Sequence, residues 1–240
     1  VNFTVGETLT PSLACFAAGL SNTICGQTST ALGKNNDVFV QTSYPLEPVD
    51  NAVAIGTFNE ISWSDGICIG LQNHILTTFG VTPPASGGVG IGYQNKINGH
   101  GIAIGERNYA QDSKGCISIG TDAKSGLSLG NDYSCAIGYR VNALADRSFV
   151  IGAGRQTFPS LTMENNTAKS LIVGFESDTP TLFVSGGNGT TGSYGKVGIG
   201  TITPADELQV IGAARISGKV GVGMTGTTSC TLGVDGTACI

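Results

Sequence analysis

Ile102-Ala103-Ile104-Gly105 and, fifteen residues on, Ile117-Ser118-Ile119-Gly120 are two copies of one four-residue phrase. Working outward in both directions, the phrase returns as Val53-Ala54-Ile55-Gly56, Ile67-Cys68-Ile69-Gly70, Val89-Gly90-Ile91-Gly92, Leu127-Ser128-Leu129-Gly130 and Cys135-Ala136-Ile137-Gly138. Phe149-Val150-Ile151-Gly152 is a looser copy, and Thr30-Ala31-Leu32-Gly33 is an earlier one. Large aliphatic residues occupy the first and third positions, and a small residue occupies the second. Alternation at period two belongs to a strand, with the large residues on one face and the small residue and Gly on the other. The large face is expected to fill a core, and the small face to admit a neighbouring backbone. A helix is excluded, because apolar residues at i and i+2 build no helical stripe and each interior Gly costs about 1 kcal/mol.

The copies commonly recur every 13 to 15 residues, which suits two short strands and two tight turns per repeat. The fold class that follows is all-β, a parallel β-roll or solenoid of short rungs. Leu71 to Gly88 is longer and carries Pro83-Pro84, so it is expected to be extruded as a loop. The two short returns between Gly120 and Gly138 suggest a tightened rung. Three regions are expected: an extended β lead-in over 1–50, the roll over 51–155 and a β-rich segment over 156–240. The last holds strands at Leu171-Ile172-Val173 and Leu182-Phe183-Val184.

Composition supports this. Gly supplies 37 of 240 residues and charged residues only 12%, and turn-rich β-structure with close strand stacking has that profile. A net charge of −5 together with many Ile and Val excludes disorder, and Gly at irregular intervals excludes collagen. Twelve scattered basic residues make no nucleic-acid surface. No apolar run approaches the roughly 18 residues of a membrane span, so no membrane insertion is expected. Val1 to Thr10 lacks a positive region followed by an apolar one, so no signal peptide is expected there. The seven cysteines (Cys15, Cys25, Cys68, Cys116, Cys135, Cys230 and Cys239) contain no C-x-x-C pair, and buried free thiols are the expectation.

Gly101-Ile102-Ala103-Ile104-Gly105 followed by Asn108-Tyr109-Ala110 resembles the YadA-like head repeat of trimeric autotransporter adhesins, over residues 52–152. That resemblance implies a left-handed parallel β-roll whose three copies pack about an axis. Lys196-Val197-Gly198-Ile199-Gly200-Thr201-Ile202-Thr203-Pro204, with Leu208-Gln209-Val210 and Gly212-Ala213-Ala214-Arg215-Ile216, is similar to a segment of phage and large-virus fibres. In such fibres the segment often precedes a self-cleaving trimerisation chaperone, and none is expected within these 240 residues. Together the two resemblances imply an intertwined homotrimer with a fibre-like C-terminal part, and favour a virion surface over a bacterial one.

Catalytic motifs carry little. Gly126-Leu127-Ser128-Leu129-Gly130 matches a nucleophile elbow but is itself a copy of the phrase, with a turn rather than a helix after it. Gly221-Val222-Gly223-Met224-Thr225-Gly226 opens no helix for a pyrophosphate. His74 and His100 have no metal-ligand spacing, so neither metal nor cofactor is expected. Aromatic and polar residues near the repeats suggest a lateral glycan-binding array of Trp63, His74, Tyr93, His100, Tyr109 and Tyr139. Stacked rungs could also offer paired carboxylates for glycan hydrolysis, at about 5 Å for retention or about 6.5–9.5 Å for inversion. The candidates are Glu60, Asp65, Glu106 and Asp112, with Asp122 and Asp132 beside them. A lyase would instead need a His, Tyr or Lys base.

The first functional expectation is therefore a viral fibre or spike domain that attaches to host cell-surface or cell-wall polysaccharide. The alternatives are a virion-associated hydrolase or lyase that degrades that polysaccharide, and a bacterial trimeric adhesin head on an extracellular surface. The function is expected in the places between copies, above all residues 57–66, 71–88 and 93–100.

Overall fold

The computed structural model describes residues 3–5, 15–24, 28–39, 50–62, 64–76, 87–126, 133–157, 159–187, 194–215 and 217; side chains are not described for 3–5 or 112–114. Among the described residues there is no helix, and 21 strands make one largely parallel system. The strands form two ladders that share the same rungs.

The first ladder is built from the phrase. Phe16–Leu20, Thr30–Lys34, Val53–Thr57, Ile67–Leu71 and Val89–Tyr93 pair in parallel, each in register with the next. The ladder continues through the second halves of Lys96–Glu106 and Tyr109–Thr121, then Cys135–Tyr139, Phe149–Ala153 and Ser170–Gly174. The phrase glycines are stacked: Gly56 pairs with Gly70, Gly70 with Gly92 and Gly92 with Gly105. Gly70 has φ +121°, and a Cβ there would overlap the Gly92 carbonyl oxygen, so no other residue fits.

The second ladder turns on the three residues that follow each phrase. After Gly105, for example, Arg107 takes φ +53° and its N–H donates to Tyr93 O of the previous rung at 2.8 Å. Phe58, Gln72, Gln94, Asp122 and Arg140 repeat this left-handed corner. The ladder hydrogen bond offsets a conformation that costs a non-Gly residue about 1 kcal/mol or more. Asn22–Ile24, Asp37–Val38, Glu60–Ile61 and His74–Leu76 then pair in parallel, followed by the first halves of Lys96–Glu106 and Tyr109–Thr121. Lys124–Ser125, Val141–Ala143 and Met163–Asn165 complete it.

The roll is therefore longer than the expected 51–155. It takes in Phe16–Leu20 and Thr30–Lys34 on one side and Ser170–Gly174 on the other. The expected copy at Leu127–Gly130 lies outside the described residues. Ile117–Gly120 pairs directly with 102–105 on one side and 135–138 on the other. Ile67–Leu71 pairs directly with Val89–Tyr93, and His74–Leu76, within the expected loop, is a second-ladder strand; residues 77–86 lie outside those described. After Gly174 the pairing turns antiparallel, with Leu182–Ser185 between Ser170–Gly174 and Lys196–Ile199.

The interior reverses the facing expected of the phrase. Its small second position points inward: Ala31, Ala54, Cys68, Ala103, Ser118, Ala136 and Val150 are wholly buried. Opposite them Ile24, Val38, Ile61, Ile75 and Ile97 of the second ladder fill the core. Over the rungs with Ile in the second ladder, the roll is too thin for a large residue on both sides. A Cβ added at Gly90 would already lie 2.9 Å from Ile97 Cδ1. The large first and third positions face outward, and Ile55, Ile69, Ile137 and Ile151 keep 36%, 37%, 38% and 41% of their surface exposed.

Candidate functional site

The roll presents two faces of opposite chemistry. On the phrase face, outward residues form two aliphatic columns. One contains Val53, Ile67, Val89, Ile102 and Ile117, and the other contains Ile55, Ile69, Ile91, Ile104 and Ile119. On the second ladder one outward column is polar. Register places Asp37, Glu60, His74, Lys96, Tyr109, Lys124, Asn142 and Glu164 one above another.

Between the faces runs a buried column of asparagines that the sequence reading did not single out. Asn22, Asn36, Asn59, Asn73, Asn95 and Asn108 each stand three residues after a phrase Gly and are buried. Asn59 Nδ2 donates to Ile55 O at 3.1 Å, to Gly70 O at 3.0 Å and to Asn36 Oδ1 at 3.0 Å. Its own Oδ1 accepts from the N–H and the Nδ2 of Asn73. The column ends where Asn108 Oδ1 accepts the N–H of Ala123. The signal lay in plain spacing: Gly-x-x-Asn-x-Ile or -Val recurs beside the phrase at Asn36, Asn59, Asn73 and Asn95. Its role is structural, since buried carboxamides with all partners present hold rungs at a fixed spacing.

The glycan-binding candidates are divided among three places. His74 and Tyr109 belong to the polar column, Tyr93 and Tyr139 end phrase strands, and exposed His100 lies further along the strand that carries Lys96. Tyr139 lies under the Arg140 guanidinium at 5.5 Å. Trp63 is outside the described residues. Segments 57–62 and 93–98 are regular corners and second-ladder strands, not interruptions.

Of the carboxylate candidates, the structure brings only Glu106 and Asp122 to a shared partner among the described residues. Glu60 Oε2 meets His74 Nδ1 at 2.9 Å, and this hydrogen bond holds the Glu60 carboxyl below the usual carboxylate range against partial burial. Asp65 sits at the corner before a phrase, with Asn51 Nδ2 donating to its Oδ1 at 3.1 Å. Glu106 and Asp122 share Arg107, which donates to both Asp122 oxygens at 2.8 and 2.9 Å and also to Glu106. Arg107 lowers the Asp122 pKa, mainly through its hydrogen bonds. The side chain of Asp112, and all of Asp132, lie outside the described residues.

Burial pushes the Cys68 and Cys135 thiols up, so both are inert packing groups. Among the described residues no three His, Cys, Asp or Glu side chains gather as a metal site, and no helix is long and apolar enough to cross a membrane. Comparison with protein-family models, with curated proteins and with solved structures finds no match.

Proposed function

We propose that the chain is a segment of a viral fibre or spike that assembles as a homotrimer through its phrase face and attaches through its polar surface to host cell-surface or cell-wall polysaccharide. The observation that carries this reading is the aliphatic stripe. Ten rungs at ~4.8 Å spacing give a stripe roughly 43 Å tall and two side chains wide, larger than the scattered apolar residues of ordinary monomer surfaces. A face so regular and so apolar needs a partner of the same height and the same repeat, and another copy of the chain has both. Three copies, rather than two, follow from the resemblance to adhesin heads and virus fibres. Exposed Phe175, Ile199, Ile202, Leu208 and Ile211 extend the apolar surface beyond the roll and suit an intertwined C-terminal part.

The same geometry favours attachment over cleavage. Of the candidate carboxylates described, Glu60 is engaged by His74, and Glu106 and Asp122 by Arg107. The test is incubation of the assembled protein with host-wall polysaccharide, scoring retained protein beside released reducing ends or unsaturated sugars. Retention without release is expected. Release that disappears on substituting Glu60 or Asp65 would replace attachment with degradation, and neither retention nor release on any wall would remove the glycan reading.

A further inference from the structure

We infer that the polar face binds an acidic polysaccharide through Lys96, Tyr109 and Lys124, which occupy three successive rungs; this rests on the glycan reading above. Register sets Lys96 beside Tyr109 and Tyr109 beside Lys124. At ~4.8 Å per rung the two lysine backbones stand about 10 Å apart, comparable with the rise of two sugar residues. A chain of sugars laid along the roll therefore meets a cation, an aromatic ring and a second cation in turn.

The ring is held for that role. Asn98 Nδ2, on the preceding rung, donates to Tyr109 Oη at 3.0 Å, so the ring lies across the face instead of swinging clear of it. Tyr109 is half-buried, while Lys96 and Lys124 are exposed. A ring face stacks on the C–H surface of a sugar, and the ammonium groups attract carboxylate or sulfate on the units to either side.

The two lysines also differ from the other basic side chains nearby. His74 is engaged by Glu60, and Arg107 by Asp122 and Glu106. Neither Lys96 nor Lys124 makes an ion pair among the described residues. Lys124 does feel Asp122, but that carboxylate is already held at both oxygens by Arg107. In a chain of net charge −5, two such cations about one ring are not a by-product of general basicity. A homotrimer would repeat the column three times, and simultaneous engagement would raise avidity without new contacts.

The experiment measures binding of the full chain to immobilised polygalacturonate, dextran sulfate and neutral dextran at low and at moderate salt. Binding to one or both acidic polymers, weakened by salt, is expected, with the two polymers distinguishing carboxylate from sulfate. The double variant Lys96→Gln, Lys124→Gln should bind about tenfold more weakly, and Tyr109→Ala should also lose affinity. Lys34→Gln with Lys169→Gln removes the same charge elsewhere and should bind like the parent. Equal loss in both double variants would show a general charge effect and overturn the site. Undiminished binding to neutral dextran or to host wall in the Lys96, Lys124 variant would overturn this inference and leave the glycan reading standing. No binding to any polymer or wall would remove both.

Discussion

The N–H and the side-chain Nδ2 of Asn73 both donate to the Oδ1 of Asn59, each at 3.1 Å. One oxygen therefore takes two hydrogen bonds from the next rung, while the Asn59 Nδ2 reaches its own rung, the next rung and the Asn36 Oδ1 below. Every lone pair and every proton of that carboxamide is used, without water, in a buried column. Asn59→Ala should thus leave several buried groups unpaired and cost roughly 3 kcal/mol, read as a lower urea midpoint. Asn59→Asp should cost more than Ala, because it sets a carboxylate against three acceptor oxygens. A loss below about 1 kcal/mol for both variants would show that the column does not hold the rungs.

Stacked glycines make a second test, with an internal control. Gly70→Ala drives a methyl group into the Gly92 carbonyl and should cost roughly 3 kcal/mol or more, or prevent folding. Gly212 has a similar φ of +128° but nothing within 4 Å, so Gly212→Ala should cost only the backbone strain, about 1 kcal/mol. Equal melting temperatures for the two variants would contradict the stacking.

Acid should weaken the Glu60–His74 contact. The folded pKa of Glu60 lies below its unfolded value, so its contribution is present above about pH 4.3 and is lost as pH falls through the folded pKa. Both side chains are partly exposed, so the contribution is held to within about 1 kcal/mol. Stability of the parent and of Glu60→Gln, followed by denaturant melts, should differ at pH 6, and the difference should shrink as pH falls through the folded pKa of Glu60. A difference that grows on acidification would reverse the sign of the linkage.

The roll should open in two blocks. One core cluster runs from Ile24 to Cys116 and another from Ala123 to Phe183. At the seam the asparagine column stops at Asn108, and the interior holds a polar pair, Ser118 Oγ and Ser125 Oγ at 2.8 Å. Hydrogen exchange should show peptides from 31–110 exchanging as one unit and those from 136–183 as another. A single protection level across the seam would argue for one cooperative block.

Periodicity exposed much of this in the sequence. The phrase from Val53 to Gly152 located most rungs, because strands that stack on copies of themselves must repeat. Phe16-Ala17-Ala18-Gly19 escaped notice because Phe and Ala do not look like the aliphatic pair, although its Gly stacks on Gly33. The facing was misread because alternation says which residues share a face but not which face is inside. The thickness of the roll, set by the second ladder, decides that. The polar column was less legible still. Lys96, Tyr109 and Lys124 are 13 and 15 residues apart and become neighbours only through register.

The outward stripe is the feature on which assembly rests, and solution mass tests it most directly. Sedimentation equilibrium at micromolar concentration should return three times the chain mass of 24.4 kDa. Ile69→Glu with Ile104→Glu should return a single chain mass while keeping the β circular-dichroism spectrum, since both side chains point away from the core. A parent protein that sediments as a stable, soluble monomer would contradict the assembly, and with it the reading of the stripe.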